Sequence, residues 1–248
     1  MEGTPFEVKE VVLRARVPIL RLVRGSLDVD LSVHNATPLR NTRLLRAYAS
    51  IDARVSSLGL AVKLWAREHH LCGAHAGHLS SYALTLMVVY FLQVAADPPL
   101  PSLQRGGELD AAFEDDAAAA ERARSEGAWP AKATAAALYR GFFRFYADAY
   151  GWGQEEVVSV RLGRRRPLRE FPELSSRPGP GLHVEDPFER GRDLGDVLRG
   201  DRGLQLAGAL RGEHWRLRAA DQPGCERQLL ARLSAGAAGL ARPQGVWA

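Results

Sequence analysis

Residues 17–35 read VPILRLVRGSLDVDLSVHN, and the fold class follows from this stretch. Val17 to Val23 is aliphatic and β-branched, Arg24-Gly25 offers a turn, and Leu27, Val29, Leu31 and Val33 then alternate with Asp28, Asp30 and Ser32. That pattern predicts two strands joined by a turn, and the strand period of two places both aspartates on one face and the aliphatic residues on the other. Phe6 to Ala15, just upstream, has the same strand character. The acidic face has two readings: a solvated face on a half-buried sheet, or a carboxylate surface able to hold a hard divalent cation.

Beyond residue 40 the period changes. Arg43 to Tyr48 forms a short amphipathic segment, and Arg54 to His70 a longer one in which Leu58, Val62 and Trp65 share a face. Lys63 and Arg67 lie one turn apart on a neighbouring face, where two cations repel unless something anionic lies between them. Gly77 to Ser81 breaks the pattern, and Ser80 or Ser81 is the expected N-cap of a very apolar helix running to about Ala96. Residues 97–132 hold PPLP, a Gly-Gly pair and an acidic patch, and read as a poorly ordered connection. Ala133 to Tyr150 resumes helical spacing, and Val157 to Leu162 is a candidate strand. Arg161, Arg164, Arg165, Arg166 and Arg169 form the densest positive cluster, followed by the loop SSRPGPG and the segment HVEDPFERGRDLGDVLR; beyond Gly200 the chain is expected to be helical.

Composition bounds the function. The chain has 248 residues, 46% hydrophobic and 25% charged, enough to bury a core and incompatible with collagen-like, coiled-coil or wholly disordered classes. The longest apolar run, Ala83 to Ala96, is too short to span a membrane. The N-terminus MEGTPFEVKE lacks a secretion signal's basic and apolar order, so an intracellular, cytoplasmic location is expected. Cys72 and Cys225 are too few for a disulfide scaffold. The net charge of +4 permits a polyanionic partner without demonstrating one. Lysine occurs only at Lys9, Lys63 and Lys132, which singles out Lys63 on its helix.

His69, His70, Cys72, His75 and His78 crowd one region, but their spacing fits none of the usual structural-zinc patterns, and surface histidines in a loop are the simpler reading. No P-loop, GxGxxG or GxSxG occurs. What remains is a combination: an acidic strand face at Asp28 and Asp30, Lys63 with Arg67 to neutralise polyphosphate, hydroxyls and free N–H groups at Ser80 and Ser81, and Tyr82 to stack on a base. These are the parts of a metal-dependent nucleoside triphosphate site.

The run at 17–35, then LRNTRLLRAYASIDARVSSLGLAVKLWAREHH, GHLSSYALTLMVVYFLQ, LYRGFFRFYADAYGW and VEDPFERGRDLG closely resemble the terminal uridylyltransferases and cytoplasmic-type poly(A) polymerases, template-independent RNA nucleotidyltransferases of the polymerase-β-like superfamily. The resemblance covers residues 16–104 and 136–199 with its motifs in order. It implies an α+β fold, in which residues 1–35 are the C-terminal part of a catalytic palm sheet. Residues 36–205 would form a mainly helical central (PAP-associated) domain, and 206–248 a C-terminal helical extension.

The resemblance also implies roles. Asp30 matches the third catalytic, metal-binding aspartate; Asp28 shares its face without that role. Asn41 matches the asparagine on the ribose of the incoming nucleotide, with Asn35 close to the same pocket. Lys63 matches the triphosphate-binding lysine, and Arg67 replaces a second lysine. Ser81 and Tyr82 match the phosphate-contacting serine and the base-stacking tyrosine, and Asp186 and Glu189 the acidic pair that shapes the base-recognition end. Arg192 stands where many uridylyltransferases carry a histidine that favours UTP, and Asp193 replaces a common asparagine. Mg²⁺ or Mn²⁺ is the implied cofactor, and an RNA 3′ end with UTP or ATP the implied partners. The family's glycine-serine helix start with its first two aspartates is expected upstream of residue 16, and Met1 to Arg16 contains neither. The expected reading is therefore a truncated nucleotidyltransferase holding one of three catalytic carboxylates; the alternative is a non-catalytic RNA- or protein-binding module that keeps the nucleotide cleft. Since Tyr82 can stack on either ring and Lys63 reads only charge, base choice falls to residues 186–193. Arg192, with donors and no acceptor, favours the uracil carbonyls and so UTP over ATP, unless Glu189 or Asp193 already holds it.

Overall fold

The structure is a computed structural model that describes residues 5–14, 17–33, 35–104, 121, 129, 132–153, 155–174 and 181–220, with the backbone alone for His75. The centre of the 97–132 connection, most of the SSRPGPG loop and everything beyond Ala220, Cys225 included, lie outside the described residues. The fold is α+β, with small sheets and a larger helical part. It divides into two units, residues up to Thr42 and residues from Arg43 onward.

The first unit is an antiparallel meander of β1 (Glu7–Val12), β2 (Ile19–Arg24) and β3 (Leu27–Leu31), in that order. The β2–β3 turn is made at Gly25, whose φ of +58° favours glycine. Arg21 stands opposite Asp30 and Val23 opposite Asp28, so the register confirms one polar face. Leu22 is buried on the other face, but Val8, Val11, Leu27 and Leu31 are 46–55% exposed. The aliphatic side of this sheet is thus less covered than a half-buried strand would be.

Helix α1 (Thr37–Ile51) begins in the first unit and ends in the second. It starts earlier than the apolar spacing suggested, because Pro38 is tolerated in a first helical turn and fixes φ there. In the second unit, α2 (Ala53–Glu68) is capped by Asp52, whose carboxylate accepts from the Arg54 N–H at 2.8 Å. Helix α3 (Ser81–Val94) is capped by Ser80, whose hydroxyl accepts from the Ala83 N–H at 3.1 Å. Apolar on nearly every side, α3 lies in the middle of the core: Leu84, Leu86, Met87, Val88, Val89, Tyr90 and Leu92 are all at most 1% exposed. Helix α4 (Ala135–Arg144) passes into a π-helical turn (Phe145–Ala149), and α5 (Arg202–Ala219) closes the bundle against both. Their aromatics interlock with α3, as in the edge-on pair Phe91–Phe142 at 5.9 Å.

Both ends of the 97–132 connection belong to this core. Leu100, Leu103 and Trp129 are 2–6% exposed, and the Leu103 N–H donates to the Tyr48 hydroxyl at 3.1 Å. Strands β4 (Val157–Val158) and β5 (His183–Val184) pair in parallel and hand the chain to the 185–193 loop.

Candidate functional site

Two hydrogen bonds fold the loop between α2 and α3 back on itself: Gly73 N–H to Leu79 O at 2.9 Å and His78 N–H to Gly73 O at 3.1 Å. Gly73 and Gly77 carry the positive φ values this requires, +134° and +78°. The loop sets Cys72 beside the first residue of α3, with Sγ 3.5 Å from the Ser81 hydroxyl. Cys72 is also within electrostatic range of Lys63. Lys63 is half-buried, and its pKa is lowered, first by burial and then by the Arg67 guanidinium. That is the repulsion foreseen from their spacing, and an anion placed there would relieve it. Ser80 caps Ala83, while the N–H groups of Ser81 and Tyr82, in the first turn of α3, have no intrahelical acceptor. Together these groups form a phosphate-attracting corner.

One residue on, Tyr82 turns toward different neighbours. Burial raises its hydroxyl pKa first, with Asp186 and Glu189 raising it further and Arg192 lowering it. The hydroxyl oxygen is buried without a hydrogen-bond partner among the described residues. Adjacent α3 residues thus connect the phosphate corner, through Ser81, to the 186–192 loop, through Tyr82.

That loop is tied down from inside. Asp186 is fully buried, and its Oδ1 accepts from the Phe188 and Glu189 N–H groups at 3.0 and 3.3 Å. Burial raises its pKa, against which the Phe188 N–H and the Arg192 charge act. Arg192 donates from Nη1 to Asp186 Oδ2 at 3.3 Å and stands 3.8 Å from Glu189 Oε1. Arg192 is therefore held by Asp186 and stands close to Glu189, while Asp193 has other partners. Asp193 bonds His183 Nδ1 at 2.6 Å and the N–H groups of Val184 and Gly195 at 2.9 and 2.8 Å, so it fastens β5 and the following turn.

The first-unit candidates are described by themselves. The Asp30 carboxylate is 56% exposed, with Arg21 Nε at 3.4 Å, and Lys9 Nζ lies 2.9 Å from Asp28. Asn35 Nδ2 donates to Ser32 at 3.5 Å, and Asn41, on α1, has its Oδ1 buried without a partner among the described residues. No group of three or more His, Cys, Asp or Glu among the described residues is placed to hold a metal ion. Asp28 and Asp30, each beside a cation, do not fit a two-metal centre by themselves.

Two positions escaped the sequence reading. Cys72 counted only as a zinc candidate, whereas its thiol lies beside the Ser81 hydroxyl. His78 meets Arg202, at the start of α5; burial, and after it the Arg202 charge, lower the imidazole pKa. The dense arginine cluster is largely spent on ion pairs: Arg161 with Glu185 at 2.6 Å, Arg165 with Glu156, and Arg166 with Glu170 at 3.3 Å. It is scaffold more than free basic surface.

Comparison with known proteins bears on family and fold. Residues 2–50 match the family model described as poly(A) RNA polymerase, mitochondrial-like, central palm domain. The poly(A) RNA polymerase GLD2 of Danio rerio is 34% identical over 190 residues, covering 73% of this chain and 37% of that protein. The chain thus spans little more than a third of the length of that relative. A solved structure of the Cid1 poly(U) polymerase superposes with a TM-score of 0.75 at 28% identity, covering 88% of this chain and 70% of that one. Another, bound to MgATP, gives 0.72 at 27% identity, covering 91% and 71%. No helix among the described residues is long and apolar enough to cross a membrane.

Proposed function

We infer that this chain, a member of the cytoplasmic-type RNA terminal nucleotidyltransferase family, carries the nucleotide-binding part of an enzyme that adds nucleotides to RNA 3′ ends without a template. The observation that supports the reading best is the run Ser81-Tyr82: the Ser81 hydroxyl lies 3.5 Å from the Cys72 thiol, itself within electrostatic range of Lys63, and Tyr82 is within range of Asp186, Glu189 and Arg192. Lys63, Arg67 and the start of α3 would hold the triphosphate, and Tyr82 would pack against the base; in the first unit, Asn41 and Asn35 match by resemblance the family's ribose-side positions. Glu189, half-buried at the loop's edge, would meet the base, while Asp186 shapes the loop and Arg192 neutralises it. Asp30 would supply one carboxylate toward Mg²⁺. The remaining metal ligands have to come from groups other than those described.

With Arg192 engaged by Asp186, UTP and ATP differ less at this loop than an unpaired arginine would allow, so the lean to UTP rests on likeness to the uridylyltransferases. Action in the cytoplasm is part of the same proposal. Primer extension tests it. Residues 1–248, given a labelled RNA primer, Mg²⁺ and UTP or ATP, should bind nucleotide without extending the primer. Failure to bind either nucleotide refutes the cleft; robust extension shows that another acidic group completes the metal site.

A further inference from the structure

Helix α5 carries a stripe with no partner among the described residues. Leu204, Gly208, Arg211, Trp215 and Arg218 fall at steps of four and three residues, which puts them on one face of a helix. All five are exposed, Leu204 by 62% and Trp215 by 63%. The opposite face, with Leu206, Leu210, Glu213 and Leu217, is buried. A tryptophan this open is unusual on a protein surface, and the Arg218 guanidinium lies 5.2 Å from the centre of its ring, holding the indole beside a positive charge. A Cβ added at Gly208 or Gly212 would meet nothing within 4 Å among the described residues, so no close packing there requires glycine at either helical position. The helix has one acidic residue, Glu213, and it is buried and paired with Arg216. The exposed side of α5 therefore combines an open aromatic ring, small residues and uncompensated arginines.

We propose that this stripe docks single-stranded RNA, a base stacking on the Trp215 indole while phosphates meet Arg211 and Arg218. Charge selects the occupant: from Leu204 to Arg218 the face has arginines and no exposed acid, which is complementary to a polyanion, and the small residue at Gly208 admits close approach of a sugar-phosphate backbone. A second copy of the chain would bring the same positive face against itself. The inference rests on the reading that the enzyme acts on RNA, but not on the nucleotide cleft, and it gives the acceptor strand a hold on the helical unit outside that cleft.

Fluorescence anisotropy of the full chain with a labelled oligouridylate of about 15 nucleotides tests it, with UTP affinity measured on the same samples. Trp215→Ala should weaken RNA binding about tenfold, the order expected for one lost base–aromatic stack, and Trp215→Phe should recover most of it. Arg211→Ala combined with Arg218→Ala should flatten the slope of log affinity against log salt by about 1.4, or about 0.7 per single-strand phosphate contact. UTP affinity should be unchanged in all three variants. No RNA binding by the unaltered chain, unchanged affinity and salt slope in the variants, or equal binding of a duplex of the same length overturns the proposal. So does a dimer, seen by sedimentation, that Trp215→Ala dissolves while RNA affinity stays constant. An unaltered chain that binds RNA but not UTP counts against the nucleotide reading and leaves the docking surface standing.

Discussion

Removing Arg192 should destabilise the protein in a way that depends on pH. Asp186 is fully buried, and its charge is met by two backbone N–H groups and the Arg192 guanidinium at 3.3 Å. Two unit charges about 4 Å apart attract by about 4 kcal/mol at an effective dielectric of about 20. Arg192 is 38% exposed, so water screening and the entropy of fixing a long side chain reduce this to about 1–2 kcal/mol for Arg192→Ala. Burial already raises the Asp186 pKa, and loss of the guanidinium raises it further. A carboxyl whose folded pKa lies above its unfolded value costs stability only while it is ionised in the fold. The cost is full at neutral pH, shrinks as pH falls through the folded value, and is gone below the unfolded one. Urea unfolding at pH 7 and near pH 4.5 should therefore show wild type and variant separated at the higher pH and converging at the lower. An equal gap at both would show that the guanidinium acts through packing and not through the buried carboxylate.

Other outcomes follow from the same geometry. Lys63→Ala should weaken UTP and ATP binding at least tenfold, the loss of a charge-assisted contact of about 1.5–3 kcal/mol, while leaving the nucleotide-free melting temperature no lower than wild type. Because burial and Arg67 lower the Lys63 pKa, wild-type nucleotide affinity should begin to fall at a lower alkaline pH than an ordinary lysine would give, and titration calorimetry across that range checks it. Asp52→Ala should cost about 1–2 kcal/mol in urea unfolding, since it removes the α2 cap and frees Arg54, which also donates to Ala133 O at 2.8 Å. The Arg54 hydrogen bond lowers the Asp52 pKa, so this contribution is present above the ordinary aspartate range and fades as pH falls through the lowered value. Gly195→Ala would set a Cβ 1.8 Å from the Leu182 carbonyl oxygen and should cost about 3 kcal/mol or more, seen as loss of a cooperative melting transition.

Local rules made much of the fold legible. The alternation around Asp28 and Asp30 fixed the strand faces, and a hydroxyl ahead of an apolar run narrowed the cap of α3 to Ser80 or Ser81, of which Ser80 is the one observed. Helix α1 was read too short because its first turn carries Pro38, Arg40 and Thr42 in place of an apolar stripe. Pairings across long separations were out of reach. Nothing near Arg161 or Arg165 announces Glu185 or Glu156, which the fold brings to them through the β4–β5 pairing and the Gly151 turn. The site residues were legible as types, a cation, a hydroxyl and an aromatic ring, but their meeting depends on the Cys72 loop, whose glycine geometry periodicity does not encode.

The placement of the phosphate corner is tested most directly at Cys72, because its thiol lies 3.5 Å from the Ser81 hydroxyl, one of the groups proposed to hold the triphosphate. Its alkylation rate by iodoacetamide, followed by mass spectrometry of the peptide containing it, should fall severalfold when UTP or ATP is added. That protection should disappear in Lys63→Ala. A Cys72 rate unchanged at nucleotide concentrations shown by calorimetry to saturate the protein would place the nucleotide elsewhere and contradict the account.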